Sequence, residues 1–303
     1  MRRAARLAAR VVIWGIALLA LCLALFAFMA GRESTLQWAG AQLVERSEGR
    51  LQLESLSGSL LGAVLIGELR FEDAGKRIEV KDVRLDWQPL GLLQGRLLLP
   101  GLQAGSVHIM LQSQDDEPFK LPPRIELPFA IAIGEGQVKD LVLERAPEPG
   151  RKIPSTQLFR DIRFHVDAGS NESRLTLHQA ITEWGVARFD AKLGHVVPFA
   201  LGAQASLNQA ANQQGEDQQA YRADAVLSGT LEQTDVALNI AYGDIRAEGQ
   251  GRLAVFSATP LQQLRLTSAL DPSKLRKGLP KAALQATMEA RGTEDGGFSG
   301  SIN

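Results

Sequence analysis

Residues 77–88 read RIEVKDVRLDWQ, and this stretch predicts both the fold class and one irregularity within it. In each half, apolar residues alternate with polar ones, which is the period of a β-strand with one apolar face. The apolar residues are Ile78, Val80, Val83, Leu85 and Trp87. Near residues 81 and 82 they change from even to odd positions. Because a one-residue slip inverts every side chain, a β-bulge is expected there if the same face stays buried.

The same alternation continues on both sides of this stretch. From residue 49 onward, about a dozen short runs follow one another, separated by Gly, Pro, Asn, Asp or Ser, and they predict a long antiparallel β-meander over residues 49–303. Residues 89–95 are expected to form a helical turn, residues 134–136 a tight turn, and residues 208–220 an exposed loop. The last residues begin like another strand, so the sequence is expected to be the start of a longer array.

A sheet of this length must cover its apolar face or reserve it for a ligand. Two architectures fit the pattern: a sandwich of two sheets, and an open sheet curved into an apolar groove of the β-taco type. An outer-membrane barrel is disfavoured because an apolar segment precedes the strands and aromatic girdles are missing from the sequence.

That segment, residues 11–30, contains twenty residues without a formal charge, enough for an α-helix to cross a bilayer. Four arginines in residues 1–10 precede it and place the N-terminus in the cytoplasm, with the bulk of the chain in the periplasm of a Gram-negative cell. The expected membrane-anchoring side chains are Trp14, Leu18, Leu21, Leu25 and Phe28. A cleaved signal peptide is disfavoured by the large ring of Phe28, and a lipoprotein signal by Cys22 in mid-span.

Residues 31–48 predict a short amphipathic helix, from about Thr35 to Arg46. Ser34 and Gln37 have the spacing of a capping box, and apolar residues recur from Leu36 with helical period. Two roles for this helix remain open: its Trp38 lies at the outer membrane interface, or the helix covers the end of the following sheet.

Composition excludes several function classes. Setting aside the four N-terminal arginines leaves 29 of the 33 basic residues against 34 acidic ones, a net charge of −5, which argues against nucleic acid as a partner. The only cysteine is Cys22, so the exported portion has no thiol chemistry. The four histidines lack metal-ligand spacing, and motifs for nucleophilic or phosphate chemistry are missing. We therefore expect no catalytic residue, no metal, no cofactor and no enzyme activity.

Four segments resemble the N-terminal portion of the TamB family, in the AsmA-like superfamily. They are residues 53–60 (LESLSGSL), 78–96 (IEVKDVRLDWQPLGLLQGR), 127–129 (LPF) and 223–231 (ADAVLSGTL). The resemblance implies a single-pass inner-membrane protein with an elongated, groove-shaped periplasmic sheet. It further implies phospholipid transport to the outer membrane, or support of outer-membrane protein assembly, beside a barrel partner of the TamA type.

The leading hypothesis is a conduit for phospholipid acyl chains. Its expected lining residues are Ile78, Val80, Val83, Leu85, Val107, Ile109, Leu111, Val236, Leu238 and Ile240. The alternative is a periplasmic scaffold or chaperone that binds client β-strands at its sheet edges without moving lipid. An anchored enzyme would need a clustered polar constellation, which the sequence does not offer.

Overall fold

The computed structural model describes residues 31–302, apart from 74, 112–123, 126, 128, 146–154, 210–219, 244, 255–256, 258, 260, 271–283 and 294–297. Within these residues, helix α1 (Glu33–Arg46) is followed by fifteen strands, and the 3₁₀ helix Pro89–Gln94 joins the third to the fourth. The strands are β1 (Leu51–Gly58), β2 (Val64–Asp73), β3 (Lys76–Gln88), β4 (Arg96–Leu111), β5 (Ala130–Arg145), β6 (Ser155–Ala168), β7 (Glu172–Thr182), β8 (Gly185–Gly194), β9 (Ala200–Asn208), β10 (Tyr221–Thr230), β11 (Thr234–Tyr242), β12 (Ile245–Leu253), β13 (Leu261–Leu270), β14 (Leu284–Gly292) and β15 (Phe298–Ile302).

All fifteen strands belong to one open sheet, ordered β1 to β15 as in the chain. This confirms the predicted all-β, mainly antiparallel meander, and the second sheet that a sandwich requires is not found in the described part of the chain. One neighbouring pair departs from the prediction, because β4 and β5 run parallel, from Arg96 opposite Ala130 to Leu111 opposite Arg145.

The long strands β4 and β5 correct two further predictions. Alternation in the sequence predicts separate strands at residues 96–99 and 105–112, and again at 125–133 and 137–145, but each pair is largely merged into one strand of sixteen residues. The predicted turn at residues 134–136 is wrong, since these residues lie inside β5. A Cβ on Gly134 would lie 2.9 Å from the Pro100 carbonyl oxygen, so this glycine permits close approach of two strands.

The predicted helical turn after β3 is present as the 3₁₀ helix. It ends at Gly95, which has a φ of 68° in the left-handed region that glycine adopts without strain. Residues 169–171 (GSN) predict a hairpin between β6 and β7, and it is present, closed by a 2.9 Å hydrogen bond from the Gly169 amide to the Glu172 carbonyl.

Helix α1 forms where predicted but begins earlier than its expected cap. Arg32 is the N-cap residue and makes no side-chain capping hydrogen bond, and Ser34 lies within the first turn, so the predicted capping box is wrong. Leu36 and Gly40 are buried against β1, whereas Trp38 is exposed. A Cβ on Gly40 would collide with Leu56 and lie 3.8 Å from Leu53 Cδ1, so the helix covers the first strand.

An irregularity crosses six strands in line, and we call it the crease. The paired residues on either side of it place its six members opposite one another. They are Ser55, Gly67, Asp82, Gly105, Lys139 and Asp161. Three of them, Ser55, Asp82 and Asp161, have φ values of 56°, 53° and 46°. The break expected near residues 81 and 82 is therefore present, as one part of a feature shared by β1 to β6.

At the crease, the apolar positions of every strand step by three residues instead of two. The steps run between Leu53 and Leu56, Ile66 and Leu69, Val80 and Val83, Ala104 and Val107, Val138 and Leu141, and Phe159 and Ile162. Because Leu53 and Leu56 both contact Gly40 of α1, the step keeps the apolar side chains on one face of the sheet.

No helix in the described residues is long and apolar enough to cross a membrane. The predicted span over residues 11–30 and its anchoring side chains lie outside them, as does most of the predicted loop at 208–220.

Candidate functional site

A row of directly opposed residues crosses the whole sheet without a polar side chain, and we call it the central row. It starts at Gly58 on β1 and ends at Ile302 on β15. Its fifteen members are Gly58, Val64, Leu85, Leu102, Gly136, Phe164, Leu177, Phe189, Ala205, Ala225, Leu238, Gly249, Leu266, Met288 and Ile302. Opposed residues on paired strands project from the same face, so the row is a continuous apolar track perpendicular to the strands.

A second apolar row runs beside it from β4 to β15. It contains Leu99, Ile133, Val166, Leu175, Ala191, Ala203, Leu227, Val236, Gly251, Leu264, Ala290 and Gly300. Neighbouring strands lie about 4.8 Å apart, so the fourteen steps of the central row extend about 67 Å along the sheet. The two rows make this face a strip of that length rather than a pocket.

The strip is not covered by a second layer of the described chain. Among the described residues, the buried apolar side chains number only eight, and one of them, Leu36, belongs to α1. Most side chains of the strip are half-buried by their neighbours in the sheet, while Met288 is 36% exposed. Ile240, two residues from Leu238 on β11, is 41% exposed. A face packed on a partner sheet would instead bury most of its large side chains.

The ten residues predicted as lining all project from this face, in two groups. On β3 and β4, Ile78 is opposite Ile109 and Val80 opposite Val107, while Leu111 ends the group opposite Lys76. Beyond the crease, Val83 and Leu85 project from the same face as the residues before it. This follows from β1, where the residues in register with β3 on either side of the crease both contact α1.

On β11, the predicted residues Val236, Leu238 and Ile240 face Gly251, Gly249 and Ala247 of β12. Six strands separate this group from the β3 and β4 group, and the central row connects them through Leu85 and Leu238. Whether these side chains contact lipid remains a prediction.

The sequence analysis missed the members of the strip between the two groups. The largest of them are Phe164, Leu177 and Phe189, on three consecutive strands. A signal was available, because Leu175 and Leu177 alternate with polar residues as clearly as the predicted positions do. From β8 to β12 many positions of the strip are Ala or Gly, which a search for large apolar side chains overlooks.

The opposite face is polar and carries ion pairs. Arg252 Nε lies 2.9 Å from Asp235 Oδ1, directly across from it on the neighbouring strand, and Arg265 is paired with Glu289 in the same way. A cleft of about 470 Å³ lies among these side chains, and its lining combines the paired charges of Asp235, Arg252 and Arg265 with uncharged residues. The two faces of the sheet thus differ sharply in polarity.

Asp224 on this face is held by a bidentate ion pair. Arg222 donates from Nε to Oδ2 over 2.6 Å and from its terminal nitrogen to Oδ1 over 3.0 Å. These hydrogen bonds, with the charge of the guanidinium, lower the pKa of Asp224 below its ordinary value.

At the ends of β6 to β9, the chain itself covers the margin of the apolar face. His195 and Phe199, in the turn between β8 and β9, are buried, and His195 Nε2 lies 2.7 Å from the Ser173 hydroxyl. The Ile125 amide donates to the His195 carbonyl over 2.9 Å, so residues before β5 reach the end of β8.

These features define a class: a single-layered, open β-sheet protein with one continuous apolar face and one charged face. Residues 22–148 match the family model described as TamB, N-terminal domain. The resemblance found in the sequence is thereby confirmed, and placement in the AsmA-like superfamily is consistent with it. No curated protein and no solved structure matches the chain significantly.

Proposed function

We propose that this protein is an inner-membrane-anchored conduit that moves phospholipid toward the outer membrane along the apolar face of its sheet. In this proposal the sheet curves around the acyl chains, the headgroup stays in water, and a barrel protein of the TamA type receives the lipid. The observation that carries the proposal is the uncovered central row, which continues through all fifteen strands.

The physical need for such a surface is large. At about 0.8 kcal/mol per CH₂ group, two acyl chains of about sixteen carbons resist exposure to water by about 25 kcal/mol. An apolar strip removes most of that barrier at every point along its length. Because the central row contains no polar side chain, it offers an acyl chain many similar positions along its length.

The test uses two adjacent residues on opposite faces of β11. Leu238 belongs to the central row, whereas Ala237 projects from the polar face. A photocrosslinking amino acid at position 238 is expected to capture phospholipid in cells, and the same group at position 237 is not. Equal capture at both positions, or capture of protein alone at 238, contradicts the proposal.

The matched pair also separates the conduit from the scaffold alternative. Leu238→Asp places an ionised carboxylate in the strip, which opposes acyl chains, whereas Ala237→Asp leaves the strip unchanged. We expect Leu238→Asp to reduce phospholipid transfer between vesicles at least tenfold and Ala237→Asp to preserve it. A scaffold that binds clients at strand edges predicts that both variants behave alike.

A further inference from the structure

Two turns at one end of the first four strands are made entirely of uncharged residues. Residues 59–63 (SLLGA) join β1 to β2, and residues 89–95 (PLGLLQG) join β3 to β4. Because β2 and β3 are neighbours, the two turns lie side by side. They present an exposed cluster that we call the leucine elbow: Leu61, Leu90, Leu92 and Leu93.

The backbone of the 3₁₀ helix holds these leucines outward. Gly91 is buried, and a Cβ there would lie 2.9 Å from Leu98 Cγ and 2.8 Å from the Arg96 carbonyl oxygen. With glycine occupying the inner position, Leu90 and Leu93 are 74% and 85% exposed. Apolar side chains this exposed, next to one another and without a charge in either turn, mark an interaction surface.

The opposite end of the same strands is charged. Asp73 and Lys76 flank the turn between β2 and β3, and Arg50, which precedes β1, lies 3.7 Å from Asp73. The first four strands therefore have one apolar end and one hydrated end.

Helix α1 begins at the apolar end of these strands. Four residues join α1 to β1, and Gly40 contacts Leu53 and Leu56 beyond that connection, so the helix runs antiparallel to the strand. The helix is about 21 Å long and β1 about 26 Å. Glu33 at the start of α1 is thus level with Gly58 at the end of β1, and the uncharged residues 11–30 lie just upstream of it in the sequence.

We infer that the leucine elbow contacts the bilayer in which the chain is anchored, with its leucines inserted among the lipids. Apolar side chains without accompanying charge fit a lipid surface, and a membrane anchor attached at the same end of the sheet holds them against it. The central row begins beside these turns, at Gly58 and Val64. An acyl chain leaving the bilayer at the elbow therefore reaches the apolar strip without crossing water.

This inference rests on the membrane-anchoring part of the proposed function, and the test separates the two. The full chain with Cys22→Ala receives a single cysteine, Leu93→Cys or, as the control on the polar face, Val226→Cys, which replaces a side chain 45% exposed. Each variant is labelled with an environment-sensitive fluorophore and reconstituted into phosphatidylethanolamine and phosphatidylglycerol vesicles. Spin-labelled phospholipid then serves as the quencher.

We expect a blue-shifted emission at position 93 and quenching several times stronger than at position 226. Vesicle flotation is measured in parallel. Chain that floats while position 93 is quenched no more than position 226 contradicts the elbow alone, and chain that does not float contradicts the anchoring as well. A blue shift without quenching by lipid means that protein covers the elbow, and this also overturns the inference.

Discussion

At the scale of single residues, the glycines of the crease are expected to be intolerant of side chains. A Cβ on Gly105 would lie 3.0 Å from both Cβ and Oδ2 of Asp82. We expect Gly105→Ala to lower the free energy of unfolding by about 1–3 kcal/mol, because neither strand moves without disturbing its other neighbour.

The control for this prediction is Gly202→Ala on β9, where an added Cβ meets no atom within 4 Å. Its effect is expected to stay within about 0.5 kcal/mol. Denaturant unfolding of the detergent-solubilised chains measures both, and equal stabilities would disprove the packing role of Gly105.

The ion pair on the polar face gives a prediction about pH. The lowered pKa of Asp224 means that the Arg222 interaction stabilises the folded chain above the ordinary carboxyl pKa of about 3.9, and that this contribution disappears as pH falls through the lower folded value. We expect Arg222→Ala to raise the pKa of Asp224 toward its ordinary value, measured by NMR titration of the carboxyl carbon. The control is Arg252→Ala, which removes the partner of Asp235 and is expected to leave the pKa of Asp224 at its lowered value.

Residue patterns predicted one part of the crease and missed its extent. Asp82 was found because β3 shows both phases of alternation within one uninterrupted stretch. The same three-residue step is visible in Leu53 and Leu56, but β1 contains too few residues to distinguish a changed phase from an irregular strand. Whether the six three-residue steps line up across the sheet depends on how the strands are paired. The sequence of a single strand does not specify that pairing.

At the scale of elements, the contact between α1 and β1 depends on the missing side chain of Gly40. Gly40→Val is expected to push the helix away from Leu56 and to speed amide hydrogen exchange in α1 at least tenfold. The outward-facing neighbour supplies a control, since Ala41→Val changes helix propensity without touching β1. Similar exchange in the two variants would show that the helix does not depend on this contact.

The parallel pairing of β4 and β5 is an element-scale feature that alternation does not reveal, because both strand directions have a period of two residues. Connection length was the available signal. Parallel neighbours need a crossover of a dozen or more residues, and the eighteen residues between Leu111 and Ala130 are the longest connection between neighbouring strands. Length permits the parallel pairing without requiring it, because two antiparallel pairs are joined by twelve and thirteen residues.

At the scale of the whole molecule, a conduit is a series of steps, so an obstacle anywhere along it stops transport. We expect Leu177→Asp on β7 and Met288→Asp on β14 to reduce phospholipid transfer as much as Leu238→Asp does, although these strands lie far apart in the sheet. Ala237→Asp on the opposite face is the control and is expected to transfer normally. Loss confined to one position would instead indicate a local binding site.

The sequence predicted an open β-sheet with one apolar face, yet it left the covering of that face undecided. The alternation of Val236, Leu238 and Ile240 is the same whether a partner sheet or a ligand lies over them. Only the single-sheet topology and the partial exposure of the strip separate the two cases.

The crease also constrains how this family of sheets can diverge. A deletion of one residue inside a single strand between β1 and β6 would turn half of that strand inside out against neighbours that kept their length. Restoring the fit would require matching deletions in the adjoining strands, which mutation rarely supplies together. Insertions and deletions among relatives should therefore accumulate in the connections, while the number of residues from the crease to each strand end is inherited almost unchanged.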